Sequence, residues 1–160
     1  MNYYNQIAEG YEELHKEEQL KKIELIKQYL KPKQTDLLLD VASGTGLTTE
    51  PWNCRRIGID PAIKLLEIAR KKQEISYINA EAEHIPFKDK SFDVVISITA
   101  LQNFNDIEKG LSEIKRVGKE KFILSALKKS SKIKKIKGLI NKTFKLKKII
   151  EENKDIIFII

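Results

Sequence analysis

The sequence contains little cysteine, proline, glycine or aromatic residue. Of 160 residues, one is cysteine, four are proline and seven are glycine, and aromatic residues make up 8%. A single cysteine, Cys54, excludes a disulfide framework and a cysteine-based zinc site, and fits a reducing cytosol. The polar N-terminus and the lack of any run of about 20 apolar residues argue against secretion and membrane spanning. We therefore expect a cytoplasmic protein without a membrane segment.

Acidic residues are missing from one long stretch of the chain. The net charge is +7, but residues 121–150 contain eleven lysines and no Asp or Glu, which leaves 19 basic and 23 acidic residues elsewhere. Two interpretations stay open for the part between Lys128 and Lys148: contact with RNA phosphates, or a solvated helix face. No aromatic stacking platform accompanies the lysines, which favours the solvated face.

The pattern of apolar residues predicts helices first and then strands alternating with helices. Residues 2–30 have apolar positions three or four apart, which predicts two helices with Leu20 on the apolar side, the second ending at Lys31-Pro32-Lys33. We predict one domain over residues 1–160, with a helical cap at 1–33 and a sheet core at 36–160. Predicted strands are 37–41, 55–60, 75–80, 92–98, 121–125, 144–150 and 156–160, and later helices lie at 61–72, 107–117 and 130–143. For residues 144–150 a strand is favoured, with a helix around residues 149–152 as the alternative.

A glycine-containing turn follows the first apolar run. Residues 37–46 are LLLDVASGTG, a strand-like run ending where glycines let the backbone approach a ligand closely. Thr48 and Thr49 predict that the turn opens a helix whose free N–H groups face that ligand. A P-loop would need a Lys-Ser or Lys-Thr pair here, and a dinucleotide fingerprint would need glycine at Thr49. A structural turn without a ligand is the alternative.

The second predicted strand, at residues 55–60, ends in the carboxylate of Asp60. An acidic residue about twenty positions after the first strand can accept hydrogen bonds from both ribose hydroxyls of a nucleotide. The same position serves nicotinamide dinucleotides, so Asp60 alone does not identify the ligand. Pro61 suits the start of the next helix. The helix residues expected to face the sheet are Ile63, Leu66 and Ala69.

Three segments of the sequence together resemble one protein family. They are LLLDVASGTG, GIDPAIKLLEIARKK and AEAEHIPFKDKSFDVVIS, which begin at residues 37, 58 and 80. Their residues and spacing are similar to the motifs of class I S-adenosylmethionine-dependent methyltransferases, including the quinone-biosynthesis type. Ala42 departs from the first glycine of the family's D-x-G-x-G-x-G motif. The resemblance implies a doubly wound α/β domain with a mostly parallel seven-stranded sheet and a final antiparallel hairpin.

The resemblance also implies a cofactor and its binding residues. The cofactor would be S-adenosyl-L-methionine, with S-adenosyl-L-homocysteine as product. By this resemblance Asp60 holds the ribose, Glu81 bonds the adenine amino group, the Ala82 N–H meets a ring nitrogen, and the glycine turn holds the methionine part. The implied cofactor-binding residues are Asp40, Ala42, Ser43, Gly44, Thr45, Gly46, Asp60, Pro61, Glu81, Ala82 and Thr99.

The acceptor side is less well defined by the sequence. Ligands of open α/β sheets bind beyond the carboxyl ends of strands, so residues 99–103 are expected to face the methyl group and the acceptor. Gln102 and Asn103 are acceptor-side candidates, or they cap the next helix; neither acts as a base near pH 7. Two roles stay open for the N-terminal tyrosines. Either Tyr11 or Tyr4 closes the cofactor pocket, or both only pack against their own helix. His84 lies in a loop position that varies within the family, so we assign it no catalytic role and leave the catalytic residues unknown.

Several hypotheses about function remain open. The first is methyl transfer to a small-molecule or macromolecular acceptor by in-line displacement, in which orientation of the reactants is worth about 7–11 kcal/mol and no dedicated base is required. The second is a non-catalytic protein that binds the cofactor or serves as partner subunit of an RNA- or protein-modifying methyltransferase complex. A separate activating partner protein is compatible with either. A nicotinamide-dependent oxidoreductase is disfavoured by Thr49.

Overall fold

The first part of the chain forms a long helix, and the remainder alternates between strands and helices. The computed structural model describes residues 2–72 and 74–160, and within residues 2–14 it describes side chains only at positions 3, 6 and 10. The helices are α1 (Asn2–Ile26), α2 (Ile63–Ala69), α3 (Ile107–Val117) and α4 (Ile133–Thr143), with a short 3-10 turn at Leu101–Asn103. The strands are β1 (Leu37–Val41), β2 (Arg55–Asp60), β3 (Ser76–Asn79), β4 (Phe92–Ser97), β5 (Gly118–Leu127), β6 (Lys148–Glu151) and β7 (Asp155–Ile159).

The seven strands form one sheet with the order β3-β2-β1-β4-β5-β7-β6. The first five strands in this order pair in parallel, whereas β7 runs antiparallel to both β5 and β6. Strand order reverses beside β1, because β2 lies on one side of it and β4 on the other. The predicted doubly wound, seven-stranded sheet with a C-terminal antiparallel hairpin is therefore confirmed.

Apolar side chains cover both faces of the sheet, because successive residues of a strand point to opposite sides. In β1, Leu38 packs in the same cluster as Ile23 and Ile26 of α1. Its neighbour Leu39 packs instead in the cluster that contains the buried faces of α3 and α4. Both leucines are fully buried. The sheet thus forms the middle of a three-layer domain, with α1 on one face and α3 and α4 on the other.

The crossover from β1 to β2 contradicts the prediction of a helix after the glycine turn. Thr48 and Thr49 lie in a series of turns that continues to Pro51. Only four residues separate Gly46 from Pro51, and Gly46 has a φ of +88°, outside the helical range. The two threonine hydroxyls also donate to the Asp40 carboxylate, an alternative to helical hydrogen bonding that suits threonine.

Other predicted elements differ in their bounds or in the face that they bury. One helix, α1, replaces the two predicted helices, and turns follow it from residue 27 to residue 29. The expected apolar positions Leu20 and Ile63 are 38% and 47% exposed, so both assignments were wrong. Lys22 and Leu65 are buried instead, because the contacts that each helix makes, rather than periodicity alone, decide which side chains face inward. The sixth strand is Lys148–Glu151, shorter than the predicted 144–150.

None of the helices in the described part of the chain combines the length and the apolar character needed to cross a membrane.

Candidate functional site

A cavity of about 160 Å³ lies at the carboxyl ends of the central parallel strands. Segments that follow β1, β2, β3 and β4 all contribute to its wall. This is the edge at which open α/β sheets bind ligands, beside the point where strand order reverses. Its lining residues are Ala42, Gly44, Asp60, Pro61, Ala62, Leu65, Glu81, Ala82, Glu83, Ile98, Thr99, Ala100, Asn103, Phe104 and Asn105.

Asp60 ends β2 and joins the glycine turn to the start of the α2 segment. Its Oδ2 accepts a hydrogen bond from the Gly44 N–H at 2.9 Å, and its Oδ1 accepts one from the Ala62 N–H at 2.7 Å. Burial raises the pKa of the Asp60 carboxyl, while these two backbone donors oppose the shift. Each carboxylate oxygen has more than one acceptor site, so Asp60 keeps capacity to accept hydroxyl groups of a ligand.

The glycine turn owes its shape to residues with positive φ. Ala42 and Gly44 have φ of 64° and 56°, and both line the cavity. Ala42 therefore occupies a left-handed conformation that favours glycine, the residue that the family motif has there. Gly46 lies farther back, where a Cβ would fall on the hydroxyl of Tyr77 from β3. The turn is thus packed closely against β3 and leaves no room for a side chain at Gly46.

Asp40 does not line the cavity but binds residues of the turns that follow β1. It is fully buried, and its Oδ2 accepts hydrogen bonds from the Thr48 and Thr49 hydroxyls, each at 2.7 Å. The indole N–H of Trp52 in turn donates to the Thr48 carbonyl at 2.9 Å. Burial raises the pKa of Asp40 to about 7, an effect that the threonine hydroxyls reduce and the negative charge of Asp60 increases. Asp40 therefore acts on the cavity through the turn.

The segment after β3 forms a second wall that is tied to α3. Glu81 keeps its carboxylate partly exposed at the cavity, with Oε2 3.8 Å from His84 Nδ1. Glu83 is buried and accepts a hydrogen bond from the Asp106 N–H at 2.9 Å. Farther along, the Ile85 N–H donates to Glu113 of α3 at 3.0 Å. These bonds hold the segment in one conformation relative to the sheet.

The corner after β4 is held by hydrogen bonds behind the cavity wall. Thr99 lines the cavity, but its hydroxyl accepts from Lys22 Nζ at 2.7 Å and donates to Asp155 Oδ2 at 2.7 Å. The Gln102 amide lies outside the lining, where it donates to the Thr99 carbonyl at 2.8 Å and accepts from the Leu127 N–H at 3.3 Å. Asn103 lines the cavity.

The cavity brings together most, though not all, of the residues singled out from the sequence. Those that line it are Ala42, Gly44, Asp60, Pro61, Glu81, Ala82, Thr99 and Asn103. Those that lie outside its lining are Asp40, Ser43, Thr45, Gly46 and Gln102. Tyr4 and Tyr11 are in α1, but their side chains lie outside the described residues. The acceptor-side role suggested for Tyr11 therefore stays a prediction.

Sequence analysis missed several residues of the cavity wall. Leu65, Ile98 and Phe104 give the cavity apolar surface, and Glu83 and Asn105 add polar groups. Leu65 and Ile98 are ordinary apolar positions of a helix and of a strand end, so nothing in the local sequence marks them. Phe104 and Asn105 could have been found from the sequence, because they follow β4 closely and so lie at the edge of the sheet where ligands bind.

Comparison with known proteins agrees with this geometry. Residues 39–124, more than half of the chain, match a family described as methyltransferase domain. An uncharacterized protein of Methanocaldococcus jannaschii is 32% identical over 118 residues, which cover 74% of this chain and 47% of that protein. Demethylmenaquinone methyltransferase of Renibacterium salmoninarum is 36% identical over 86 residues, covering 51% of this chain and 36% of the enzyme. The chain thus spans about half or less of the length of these two curated relatives.

Solved structures share the fold. An S-adenosylmethionine-dependent methyltransferase from Thermotoga maritima superposes with a TM-score of 0.77 and 18% identity over 99% of both chains. A chain of the Haloferax volcanii complex that contains the Trm112 methyltransferase activator superposes with a TM-score of 0.71 and 20% identity, over 77% of this chain and 59% of that one. With the matched family model and the site at the strand ends, these similarities agree: the chain belongs to the class I S-adenosylmethionine-dependent methyltransferase family.

Proposed function

We propose that this domain binds S-adenosylmethionine in the cavity at the strand ends and transfers its methyl group to an acceptor. The observation that supports this most directly is the convergence of three separate sequence motifs on one cavity, through Gly44, Asp60 and Glu81. The apolar wall of Leu65, Ile98 and Phe104 suits a flat aromatic base, while the carboxylates suit hydroxyl and amino donors. The residues present therefore fit this cofactor.

Within the proposal, each residue has a binding or orienting task. Asp60 accepts the ribose hydroxyls, Glu81 accepts from the adenine amino group, and the positive-φ backbone at Ala42 and Gly44 makes room for the methionine part. The cofactor, when bound, supplies a methyl group already activated by a positive sulfur. The protein's contribution is then mainly alignment of the acceptor and exclusion of water, which together are worth about 7–11 kcal/mol.

The acceptor enters, in this proposal, beside Asn103 and Asn105. Both amides line the cavity after β4 and neither titrates near neutral pH. They suit an acceptor that is itself weakly acidic or already deprotonated, because the wall offers orienting hydrogen bonds there instead of a strong base. Gln102, whose amide bonds within the fold, supports the corner from outside. We therefore propose Asn103 as the acceptor-side residue to test first.

Calorimetric titration with S-adenosylhomocysteine tests the cofactor assignment, with NADH as the control ligand. We expect micromolar binding of the homocysteine compound and none of NADH. Asp60→Asn keeps one acceptor oxygen for the Gly44 or Ala62 N–H, places its NH2 group against the other, and removes the charge, and is expected to weaken binding by about tenfold or more. Asp36→Ala, before β1 at the opposite end of the sheet, is the matched control and should bind as the wild type does. A folded wild type that binds neither ligand would refute the proposal.

The nature of the acceptor is a second question that labelled methyl transfer resolves. Demethylmenaquinone methyltransferases are among the relatives, so a quinone-like aromatic acceptor is the first small molecule to supply. An RNA acceptor is the macromolecular alternative, for which the exposed lysines of α4 provide positive charge. Transfer to neither, despite cofactor binding, would favour a non-catalytic binding protein or one that needs an activating partner. The activator in the Haloferax complex makes such a partner worth adding to the assay.

A further inference from the structure

We propose that Lys22 of α1 is a positioning residue for the cavity, an inference that rests on the proposed function. Lys22 does not line the cavity. It binds the side chain of Thr99, a cavity-wall residue at the carboxyl end of β4, and holds it in an unusual backbone conformation. Through this contact the N-terminal helix shapes the wall beside which methyl transfer takes place.

Thr99 has a backbone conformation that its surroundings have to stabilise. Its φ is 56°, in the left-handed region that β-branched residues strongly avoid. Such a conformation persists only where the surroundings determine it, and it is often found where a binding site has to keep one shape. Ala42, which lines the same cavity at the end of the neighbouring strand β1, is also left-handed, with a φ of 64°. Two central strands thus end in left-handed residues at the cavity.

Every polar group of Thr99 has a partner. The Lys22 ammonium donates to its hydroxyl at 2.7 Å, and the hydroxyl donates to Asp155 Oδ2 at 2.7 Å. The Thr99 N–H donates to Ser125 Oγ at 2.6 Å, and Ser125 Oγ donates to the same Asp155 oxygen at 2.6 Å. The Gln102 amide donates to the Thr99 carbonyl at 2.8 Å. This set of bonds leaves the residue one conformation.

Lys22 is buried too deeply to be explained as a surface charge. Neither its side chain nor that of Asp155 has any exposed surface, and Nζ lies 3.1 Å from Asp155 Oδ1. Glu18 and Glu152 add negative charge at 3.8 Å and 3.9 Å. Buried ion pairs are often no more stable than well-packed apolar side chains of the same volume. An apolar residue would, however, donate no hydrogen bond to Thr99, and we infer that this bond is what the ion pair provides.

A second residue of α1 reaches the same hydroxyl. Gln19, which lies one helical turn before Lys22 and is also buried, has its Nε2 3.4 Å from the Thr99 hydroxyl. Two positions on one face of α1 thus converge on a single cavity-wall side chain. Docking of α1 on the sheet and the shape of the cavity are therefore linked, and release of the helix would release Thr99.

The decisive experiment separates positioning from stability. Lys22→Met alone leaves the Asp155 carboxylate buried without its partner and is expected to unfold at lower temperature. The double variant Lys22→Met/Asp155→Asn removes both charges, and we expect its melting temperature to return close to that of the wild type. The amide oxygen introduced at position 155 can still accept from the Thr99 and Ser125 hydroxyls, so the bond that Thr99 loses is the one from Lys22, and the affinity for S-adenosylhomocysteine should stay about tenfold weaker. A purely structural role for Lys22 predicts that affinity recovers together with stability.

The second measurement, amide hydrogen exchange, needs no ligand. Hydrogen exchange of the Thr99 amide in the unliganded protein should become about tenfold faster in the double variant, while that of core residue Leu39 stays unchanged. Thr99→Val leaves the Lys22 and Asp155 side chains in place and replaces the hydroxyl that both of them bond by a methyl group, so it should reproduce both effects even if the double variant does not fold. Lys154→Met, which removes the exposed partner of Glu18 on the same side of the hairpin, is the matched control and should change neither quantity.

The outcomes distinguish this proposal from the proposed function. If the wild type binds no S-adenosylhomocysteine, the function proposal fails, and the amide exchange of Thr99 still decides the role of Lys22. If the wild type binds and both the double variant and Thr99→Val bind equally well, the positioning role is refuted while the function stands. Weaker binding and faster exchange in these variants, with Lys154→Met unchanged, would support it.

Discussion

Burial raises the pKa of Asp40 to about 7, and this links protein stability to pH. The carboxyl of an unfolded chain titrates near pH 3.9, so the folded protein holds an additional proton between about pH 4 and pH 7. The stability contributed by the neutral carboxyl is complete below pH 4 and is lost as pH rises through 7. A shift of about three units corresponds to about 4 kcal/mol, an upper value for this effect.

We predict that Asp40→Asn makes the free energy of unfolding less dependent on pH. Wild type should lose stability between pH 5 and pH 8, and the variant, whose amide does not titrate, should lose clearly less. Urea unfolding at the two pH values measures this. Asp93→Asn is the control: hydrogen bonds from Lys119 and Leu37 lower the pKa of Asp93, so it does not titrate in this range. An equal loss in wild type and Asp40→Asn would contradict the prediction.

Gly46 is the glycine whose replacement should be most damaging in this turn. Its φ of +88° disfavours a side chain, and a Cβ there would overlap the Tyr77 hydroxyl. We predict that Gly46→Ala lowers the free energy of unfolding by about 2–4 kcal/mol, measured by urea unfolding. Adding Tyr77→Phe should recover part of this loss by removing the overlapping oxygen.

Gly138 provides the comparison for Gly46. A Cβ at Gly138 would meet nothing within 4 Å, and the residue lies in the middle of α4. Gly138→Ala should therefore raise stability by about 0.5–1 kcal/mol, because alanine has the higher helix propensity. The interpretation of the turn would be wrong if Gly46→Ala were as harmless as Gly138→Ala.

At the scale of elements, α3 connects the core to the cavity wall. Asp106 caps the helix, with Oδ1 accepting from the Lys109 N–H at 3.0 Å, while its own N–H donates to Glu83 beside the cavity. The opposite end of the helix holds Arg116, which donates to the Ile85 and Phe87 carbonyls. Both ends of α3 thus bind the segment that contains Glu81 and Ala82.

We predict that Asp106→Ala destabilises the protein by about 1 kcal/mol, since an N-terminal hydrogen-bond acceptor is lost. Asp106→Asn keeps a side-chain oxygen at the cap and should have nearly wild-type stability. The comparison of urea midpoints for the two variants measures the cap alone, because the backbone bond to Glu83 is available in both. Equal midpoints for Ala and Asn would show that the cap contributes nothing.

At the scale of elements, the sequence predicted strands better than helices. All seven strands were expected, because runs such as LLLDV and FDVVIS are short, apolar and bounded by turns. The prediction of a helix after the glycine turn was wrong, because the four residues between Gly46 and Pro51 are too few for a helix and the threonines bond to Asp40 instead. The strand predicted at residues 144–150 begins too early, because pairing with β7 begins only at Lys148.

At the scale of the whole molecule, both faces of one continuous sheet are covered by helices. The β6–β7 hairpin extends this sheet, and Asp155 at its start binds Lys22 of α1 near the opposite end of the chain. Tyr29, after α1, also lies under Lys148 of β6, with Nζ 5.0 Å from the ring centre. These contacts join the proposed N-terminal cap and the C-terminal hairpin into the same core.

We predict that residues 1–160 unfold as a single cooperative unit. Calorimetry should show one transition, with a calorimetric enthalpy of about 110 kcal/mol near 60 °C that equals the van't Hoff enthalpy. S-adenosylhomocysteine should shift the entire transition to higher temperature, since it binds only the folded state. A separate early transition for residues 1–33 would instead identify the cap as an independent unit.

Sequence motifs alone were enough to predict the family, the fold and the edge of the sheet at which we propose that the cofactor binds. The reason is that Asp60 ends a parallel strand and Gly44 and Glu81 closely follow two others, and the carboxyl ends of such strands meet at one edge. Local sequence order is then enough to bring the three residues together.

Tertiary structure decided which side chains reach the cavity and which support it from behind. Asp40 and Gln102 matched the sequence pattern, yet their polar groups bond within the fold. The contact of Lys22 with Thr99 and Asp155 joins α1, the end of β4 and the start of β7. No periodicity marks Lys22 as buried, because its burial depends on two charged or polar partners that lie far away in the sequence and become neighbours only in the folded protein.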